Sequence, residues 1–409
     1  MFVFLEQRFR QMLAFTILFG ILFTYVMIRS KIEKEKYEFP KHLHKYRARH
    51  KLKKETVPID IEKLKFKLEQ SNLRPNISNL NKFKTTVSNS PIFLIQVHKD
   101  IHKLQYLIMS LSQVNGIASS MLIFSHSFYS ESINQLVLSI DFCQVVQIFY
   151  PHSLQLNPSK FPGVDPDDCS EKEKKRNPNC QVRNAKLTEH KQHWWWKANY
   201  VFERMAWLHL YKSPIIFLEE HSYVAPSLLL IYQYAVKAFS YYPHTEILSF
   251  GRPLMRNVDM DLLTIEPWRP PFDVGLAFNK TTWRRMVSYS AQYCMYDDSS
   301  WSYSLLNLFR MFPKSHVSMV GCVTPRVLST RHFKNIEESF KRYTKMFDTL
   351  DVYPKKVKTV FLFGTDGIVE NVYKEPPSGN GGWSDLRDQV LCLDPLVSTT
   401  TVEPRYYDK

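Results

Sequence analysis

Between Pro91 and Tyr150 short apolar runs alternate with amphipathic stretches, and that succession restricts the fold more than any other feature of the chain. Residues 92–98 read as a strand, residues 121–124 as a second and residues 145–150 as a third. Unbroken apolar runs of this length are what strands buried on both faces look like. Between them Ile101, Leu104, Leu107, Ile108 and Leu111 recur at helical spacing, as do Ile133, Leu136, Val137 and Ile140. Ser130 or Ser132 is placed to cap the second helix. Strand, helix, strand, helix, strand with short connections is half of a parallel α/β sheet, since the crossovers are right-handed. Such halves bind mononucleotides at the carboxyl ends of their strands.

A second run, Ile215-Ile216-Phe217-Leu218, leads into Glu219-Glu220-His221 and then Pro226. Carboxylates at the end of a buried strand are placed to hold a divalent cation, which in turn neutralises a diphosphate. The plainer reading is a strand that ends in a solvated acidic turn. Glycine is scarce, at 11 residues, and neither GxGxxG nor GxxxxGK[ST] occurs, so a glycine-rich phosphate loop is excluded.

The formal net charge is +15, and residues 29–56 alone contribute eleven Lys/Arg against four Glu. Basicity concentrated there fits a membrane-proximal stalk better than a nucleic-acid surface, so no nucleic-acid partner is expected. Residues 12–28 carry no charge and are just long enough to span a bilayer. We expect an uncleaved signal-anchor there, after a cytoplasmic tail at 1–11 and before a basic stalk at 29–90. Positive charges alone favour a cytosolic C-terminal side, but long domains translocate largely regardless of charge. Two sequons, at Asn76 and Asn279, suit a lumenal body spanning 91–409, that is, a single-pass type II protein.

Six cysteines behind an anchor suit an oxidising compartment. Bridging Cys169 to Cys180 would close a short loop, worth about 3 kcal/mol in the chain-entropy treatment, although spacing alone leaves the pairing open. Three consecutive tryptophans, Trp194 to Trp196, enter a helix expected to run to about Leu210. They cannot share one helix face, so at least one lies off the main buried stripe. Core packing and a platform for a sugar or base are the two roles open to them.

Several runs together resemble one family. They are Gln96-Val97-His98, Phe124-Ser125-His126, Ile133-Asn134-Gln135-Leu136 and Lys191-Gln192-His193-Trp194-Trp195-Trp196-Lys197. They continue with Glu219-Glu220, Tyr223-Val224-Ala225-Pro226, Tyr296-Asp297-Asp298 with Trp301, and Gly381-Gly382-Trp383-Ser384-Asp385-Leu386-Arg387-Asp388. In this order they are similar to the N-acetylglucosaminyltransferase II family, from about residue 91 to Cys392. The resemblance implies a GT-A glycosyltransferase fold, with a Rossmann-like nucleotide-binding half and an acceptor-binding half. It implies a Golgi membrane enzyme that moves GlcNAc from UDP-GlcNAc to the α1,6-arm mannose of N-glycans in β-1,2 linkage, inverting, with manganese as cofactor. Donor and substrate contacts carry over to Gln96, Val97, His98, Lys191, His193 and Trp301. Bridges Cys169–Cys180 and Cys294–Cys392 are implied as well, and Cys143 is expected to stay a buried free thiol. Glycoprotein acceptors are the expected partners, together with homo- or hetero-oligomers of Golgi enzymes.

The chain departs from the family where the chemistry is done. His221 stands at a metal-binding Asp, Ser329 at a metal-binding His and Ser302 at the catalytic Asp. Lys99 and Asp100 replace an Asn-Arg pair, Ser127 replaces an Asp, and Asp273 lies near an expected Asn. A serine hydroxyl takes no proton near neutral pH without a base of its own. Two substitutes can be argued. Asp298, four residues before Ser302, would share a helix face with it and act as base. Glu219, Glu220 and His221, helped by His332, would bind the metal. The alternative function is a catalytically impaired relative that binds glycan, nucleotide-sugar or a Golgi enzyme. A lumenal hydrolase using Asp297 and Asp298 is a third reading, weakened because adjacent residues are not the spaced pair of a glycosidase.

Overall fold

The computed structural model describes residues 20, 23–25, 27, 60–83, 90–242, 244–252, 262–270, 272–312, 317–331, 333–349, 358–361 and 379–394. The chain divides into two units, Met1–Arg49 and His50–Lys409. In the first, the described residues are helical and exposed. The anchor expected over 12–28 lies for the most part outside the described residues, as does most of the stalk. Among the described residues no helix is long and apolar enough to cross a membrane.

The second unit is mixed α/β. Its strands, in chain order, are β1 (Ile77–Ser78), β2 (Ile92–Val97), β3 (Met121–His126), β4 (Gln144–Phe149), β5 (Asp168–Cys169), β6 (Gln181–Val182) and β7 (Ile215–Glu219). There follow β8 (Ser222–Val224), β9 (Thr245–Ser249), β10 (Leu262–Pro267), β11 (Leu276–Phe278), β12 (Ser318–Cys322), β13 (Val327–Ser329) and β14 (Lys358–Phe361). Ten of them form one sheet in the order β1-β4-β3-β2-β7-β11-β9-β12-β10-β14. β4, β3, β2 and β7 run parallel. β11 then pairs antiparallel with both β7 and β9, so the parallel half meets a mixed half at β7. That reversal brings the ends of β2 and β7 side by side, with Gln96 opposite Glu219. A crevice outside the carboxyl ends of such strands is where an α/β sheet takes its ligand.

The first half follows the apolar pattern closely. Every residue of β2 and β3 is buried, as a strand covered on both faces requires. The helix Ile101–Ser112 starts at Asp100, whose carboxylate accepts the Lys103 N–H, and buries Ile101, Leu104, Leu107, Ile108 and Leu111. Ser130 caps the helix Glu131–Leu138 by accepting the Ile133 N–H. Capping residues of this kind satisfy one of the free amides of the first turn, worth about 1 kcal/mol.

Two expectations are corrected here. The stalk does not extend to residue 90, because the helix Ile61–Leu73 packs Leu64 and Leu68 against Phe149 and Leu156. β1 then adds antiparallel to β4, so the folded body starts near Asp60. The helix around the tryptophans does not reach Leu210 either. It spans Ala185–Asn199, gives way to a π-helical turn at Tyr200–Arg204 and then to a short 3-10 turn. All three tryptophans are buried, because every residue of this helix from Lys191 to Asn199 is enclosed. Trp194 stacks on Trp301, Trp195 on Tyr293, and Trp196 packs on Tyr150 and Tyr200.

The C-terminal segment is fastened to this helix. Cys294 is bonded to Cys392 and Cys169 to Cys180, with Cα separations of 5.6 and 5.9 Å, while Cys143 and Cys322 are buried free thiols. Gly379 has φ +75° and its Cβ position lies 2.3 Å from the Asp297 carbonyl oxygen, so no larger residue fits where this segment crosses Asp297. Arg183 then ties the helix Leu386–Leu393 down, its Nε donating to Asp388 at 2.6 Å and its Nη1 to Asp168 at 2.9 Å.

Candidate active site

A cleft of about 610 Å³ opens beyond β7, lined by the helix carrying Trp194 and by β8, β13 and the start of the helix Trp301–Phe309. Its polar lining includes His190, Lys197, Glu219, His221, Asp273, Ser302, Ser329 and Arg331.

Glu219 is the hub. Its Oε1 accepts from Trp301 Nε1 at 3.0 Å and faces His190 Nε2 at 3.6 Å. Its Oε2 accepts from Arg331 Nη2 at 3.0 Å and faces His221 Nδ1 at 3.4 Å. Burial alone would raise the Glu219 carboxyl, but His190, His221 and Arg331 outweigh it and hold the group well below the usual carboxylate range. Arg331 reaches the cleft because β13 pairs with β8, placing Ser329 opposite Ser222, and Thr330 N then donates to the His221 carbonyl at 2.7 Å. Arg331 Nε donates to His221 Nε2 at 3.0 Å, so the proton of that ring sits on Nδ1, toward Glu219. Burial drops His221 to about 4, which keeps the ring neutral.

Strand alternation removes Glu220 from this group. Its Oε2 accepts the His98 N–H at 2.7 Å, and burial pushes the carboxyl up to about 8. Ser329 lines the cleft, and its hydroxyl accepts the Arg331 N–H at 3.2 Å. His332 lies outside the described residues. The residues present therefore do not fit a manganese ion: Oε2 of Glu219 and the outer nitrogen of His221 already face a guanidinium cation, and Oε1 of Glu219 accepts from the Trp301 indole. Among the described residues no group of three His, Cys, Asp or Glu side chains is arranged to hold a metal.

Asp298 is not brought into the cleft. The helix begins at Trp301, so Asp298 precedes it instead of sharing a face with Ser302. Its Oδ1 accepts from Ser300 N at 2.7 Å and its Oδ2 from Asn380 N and Nδ2 at 3.0 and 2.8 Å. It is 1% exposed and secures the glycine-rich segment. Besides Glu219, the carboxylate that lines the cleft is Asp273, in the same lining as Ser302, whose hydroxyl lies 3.1 Å from that of Ser300. The turn that carries it is pinned at Phe272, whose carbonyl accepts from Ser249 Oγ and from Trp268 Nε1, each at 2.9 Å. Burial raises the Asp273 carboxyl; the Ser302 hydrogen bond opposes this and the charge of Glu219 adds to it.

The expected donor contacts separate into two groups. Gln96, Val97 and His98 end β2, and His98 Nε2 lies 3.0 Å from Nδ1 of His190, which lines the cleft. His98 Nδ1 is 2.9 Å from the Ser127 hydroxyl, and His193 Nε2 is 2.7 Å from that of Ser125. Lys191 lies elsewhere. Its Nζ donates to the carbonyls of Tyr296 and Asp298 and sits 3.9 Å over the Trp383 ring, a fastening for the C-terminal segment. Lys197, the last residue of the same run, is buried at the cleft with no hydrogen-bond partner on its Nζ among the described residues. Its burial, opposed by the charge of Glu219, brings it down to about 7. His190 and Arg331 went unnoticed in the sequence: His190 adjoins a quoted motif, but nothing local marks Arg331.

Of the sequons, Asn76 is exposed, and Asn279 caps the helix Lys280–Ser288 by accepting the Thr282 N–H at 3.0 Å.

Comparison with known proteins matches this layout to one family. The family model described as N-acetylglucosaminyltransferase II (MGAT2) matches residues 65–392. The chain is 32% identical over 346 residues to the Sus scrofa protein named alpha-1,6-mannosyl-glycoprotein 2-beta-N-acetylglucosaminyltransferase, covering 79% of this chain and 77% of that one. It is 30% identical over 351 residues to the Homo sapiens protein of the same name, covering 79% and 77%. With the Arabidopsis thaliana protein of that name it shares 27% over 339 residues, 77% of each chain. A match over so much of its length, including the cleft and the segment that ends at Cys392, means that the chain belongs to the N-acetylglucosaminyltransferase II family.

Proposed function

We propose that this protein transfers N-acetylglucosamine from UDP-N-acetylglucosamine to the 2-hydroxyl of the α1,6-arm mannose of N-glycans, with inversion, on a GT-A fold. The observation that carries the reading is Asp273, a carboxylate that lines the same cleft as Ser302, the residue the resemblance sets at the family's base position. Asp273 takes the proton of the mannose 2-hydroxyl, and that oxygen forms a bond to C1 of the sugar. The bond from C1 to the diphosphate breaks on the opposite face, its electron pair leaving with UDP. A general base so placed contributes about 10²–10⁴-fold. Ser302 orients the carboxylate and does not itself remove the proton. Trp301, flat against Trp194 at 4.7 Å between ring centroids, offers an apolar wall to a sugar face.

The same reading places the body in the Golgi lumen behind an anchor at 12–28, and finding glycan on Asn76 or Asn279 after expression in animal cells would support that orientation. The test of function is incubation of the full chain with UDP-GlcNAc and a GlcNAc-primed trimmed N-glycan, following gain of one N-acetylhexosamine by mass. Transfer is the expected result. Binding of both substrates with no transfer would favour the impaired-relative reading, to which Ser302 and His221 lend support.

A further inference from the structure

The cleft already contains a cation where the family is expected to hold a metal. Arg331 turns one edge of its guanidinium inward, Nε to His221 Nε2 and Nη2 to Glu219 Oε2, both at 3.0 Å. Its side chain remains 55% exposed, so the opposite edge is open to the cleft. That edge meets no other hydrogen-bond partner among the described residues. A guanidinium has five N–H donors in a rigid plane, so one edge can be held by protein while the other grips two oxygens of a phosphate. Lys197 gives an independent sign of an anionic ligand: a fully buried lysine at the same cleft whose Nζ, 5.6 Å from the Phe217 ring centroid, has no hydrogen-bond partner among the described residues.

We propose that Arg331, held by Glu219 and His221, replaces the divalent cation, so that this protein binds a nucleoside diphosphate without metal. The proposal rests on the reading of the cleft as a nucleotide-sugar site. It gives His221 and Glu219 a joint role that their types alone do not announce. A neutral imidazole accepting from Nε and a carboxylate accepting from Nη2 fix the plane of the guanidinium. The departing UDP then meets a fixed positive charge that needs no loading and does not exchange with solvent. Lysine at this position would keep the charge but lose the two-edged geometry.

The test is UDP binding to the full chain in detergent, by calorimetry, in EDTA and in MnCl2, with Mn2+ binding followed by electron paramagnetic resonance. The wild type is expected to bind UDP with affinities within about threefold in the two conditions. Arg331→Met is expected to lose about tenfold or more in EDTA, as removal of charged hydrogen bonds implies, while Arg331→Lys recovers part of it. Arg331 is half-exposed but pairs the largely buried Glu219, so the melting temperature of each variant is measured alongside, and Arg331→Lys, which keeps the charge, separates lost binding from lost fold. The triple variant Arg331→Gly, His221→Asp, Ser329→His should bind Mn2+ and become Mn2+-dependent for UDP. Wild-type binding that requires Mn2+, or metal-free binding unaffected by Arg331→Met, would overturn the proposal and leave the transferase reading standing. No UDP binding in either condition would overturn both.

Discussion

Replacing Asp273 with Asn is the change that most directly probes the catalytic reading. The amide has nearly the shape of the carboxylate and the turn is held by its backbone at the Phe272 carbonyl, so the fold of the turn should survive. What disappears is the group that takes a proton. Loss of a positioned base costs about 10²–10⁴-fold, or about 3–5 kcal/mol of barrier. The pH profile supplies a second readout. Burial raises the Asp273 carboxyl, with the Ser302 hydrogen bond opposing and Glu219 adding to the rise. A base works only when deprotonated, so kcat/KM should climb with pH through a value above the ordinary 3.8 and level off beyond it. Initial rates of the wild type and of Asp273→Asn, measured across pH with UDP-GlcNAc and the primed glycan, test both statements. The variant should lose this limb along with the rate. Asp298→Asn serves as the contrast: it weakens the turn at Ser300 and Asn380 and should lower the melting temperature without moving the limb. An Asp273→Asn enzyme within about threefold of the wild type, an effect too small for a lost base, would refute the assignment.

Two further outcomes concern stability. Arg183→Met removes the salt-bridge partner of Asp388 at a site where the arginine is 1% exposed, while Asp168 keeps Arg387 at 3.0 Å; removing one partner of a buried pair costs about 3–5 kcal/mol. Denaturant unfolding should show that loss, with partial recovery on adding Asp388→Leu, and a loss below about 1 kcal/mol would mean the pair is not buried in solution. His126, buried between Phe124 and Phe149, is depressed by burial to about 3. Its contribution is complete above pH 6.5 and declines as pH falls toward 3, by up to about 1.4 kcal/mol per pH unit. His126→Phe should therefore lose less stability between pH 7 and pH 5 than the wild type, and equal slopes would count against a neutral buried ring.

Local pattern made half of the sheet legible. Burial on both faces leaves an unbroken apolar run such as Ile92 to Ile95, and helices packed on that sheet leave a stripe such as Leu104, Leu107 and Leu111. The π-helical turn at Tyr200 left no such mark, because the residues leading into it, from Lys191 to Asn199, are all enclosed. The folded start at Asp60 was hidden as well: two buried leucines in a charged helix do not distinguish a stalk from an edge packed on β4.

The parallel α/β half, the acidic end of the strand Ile215–Glu219 and the family are legible in the amino-acid sequence. These depend on neighbours in the chain or on long matched runs, and both can be read in one dimension. Only the closed chain brings together residues far apart in sequence. Asp273 and Ser302 line one cleft, and Arg331 meets His221 over a separation of 110 residues, brought there by the pairing of β13 with β8. Asp298 lies closer to Ser302 in sequence and yet faces Asn380, because the helix begins at Trp301 and the carboxylate falls in the turn before it. Side-chain direction at a strand end or in a turn follows from what packs against it, and that depends on the whole chain having closed around the site.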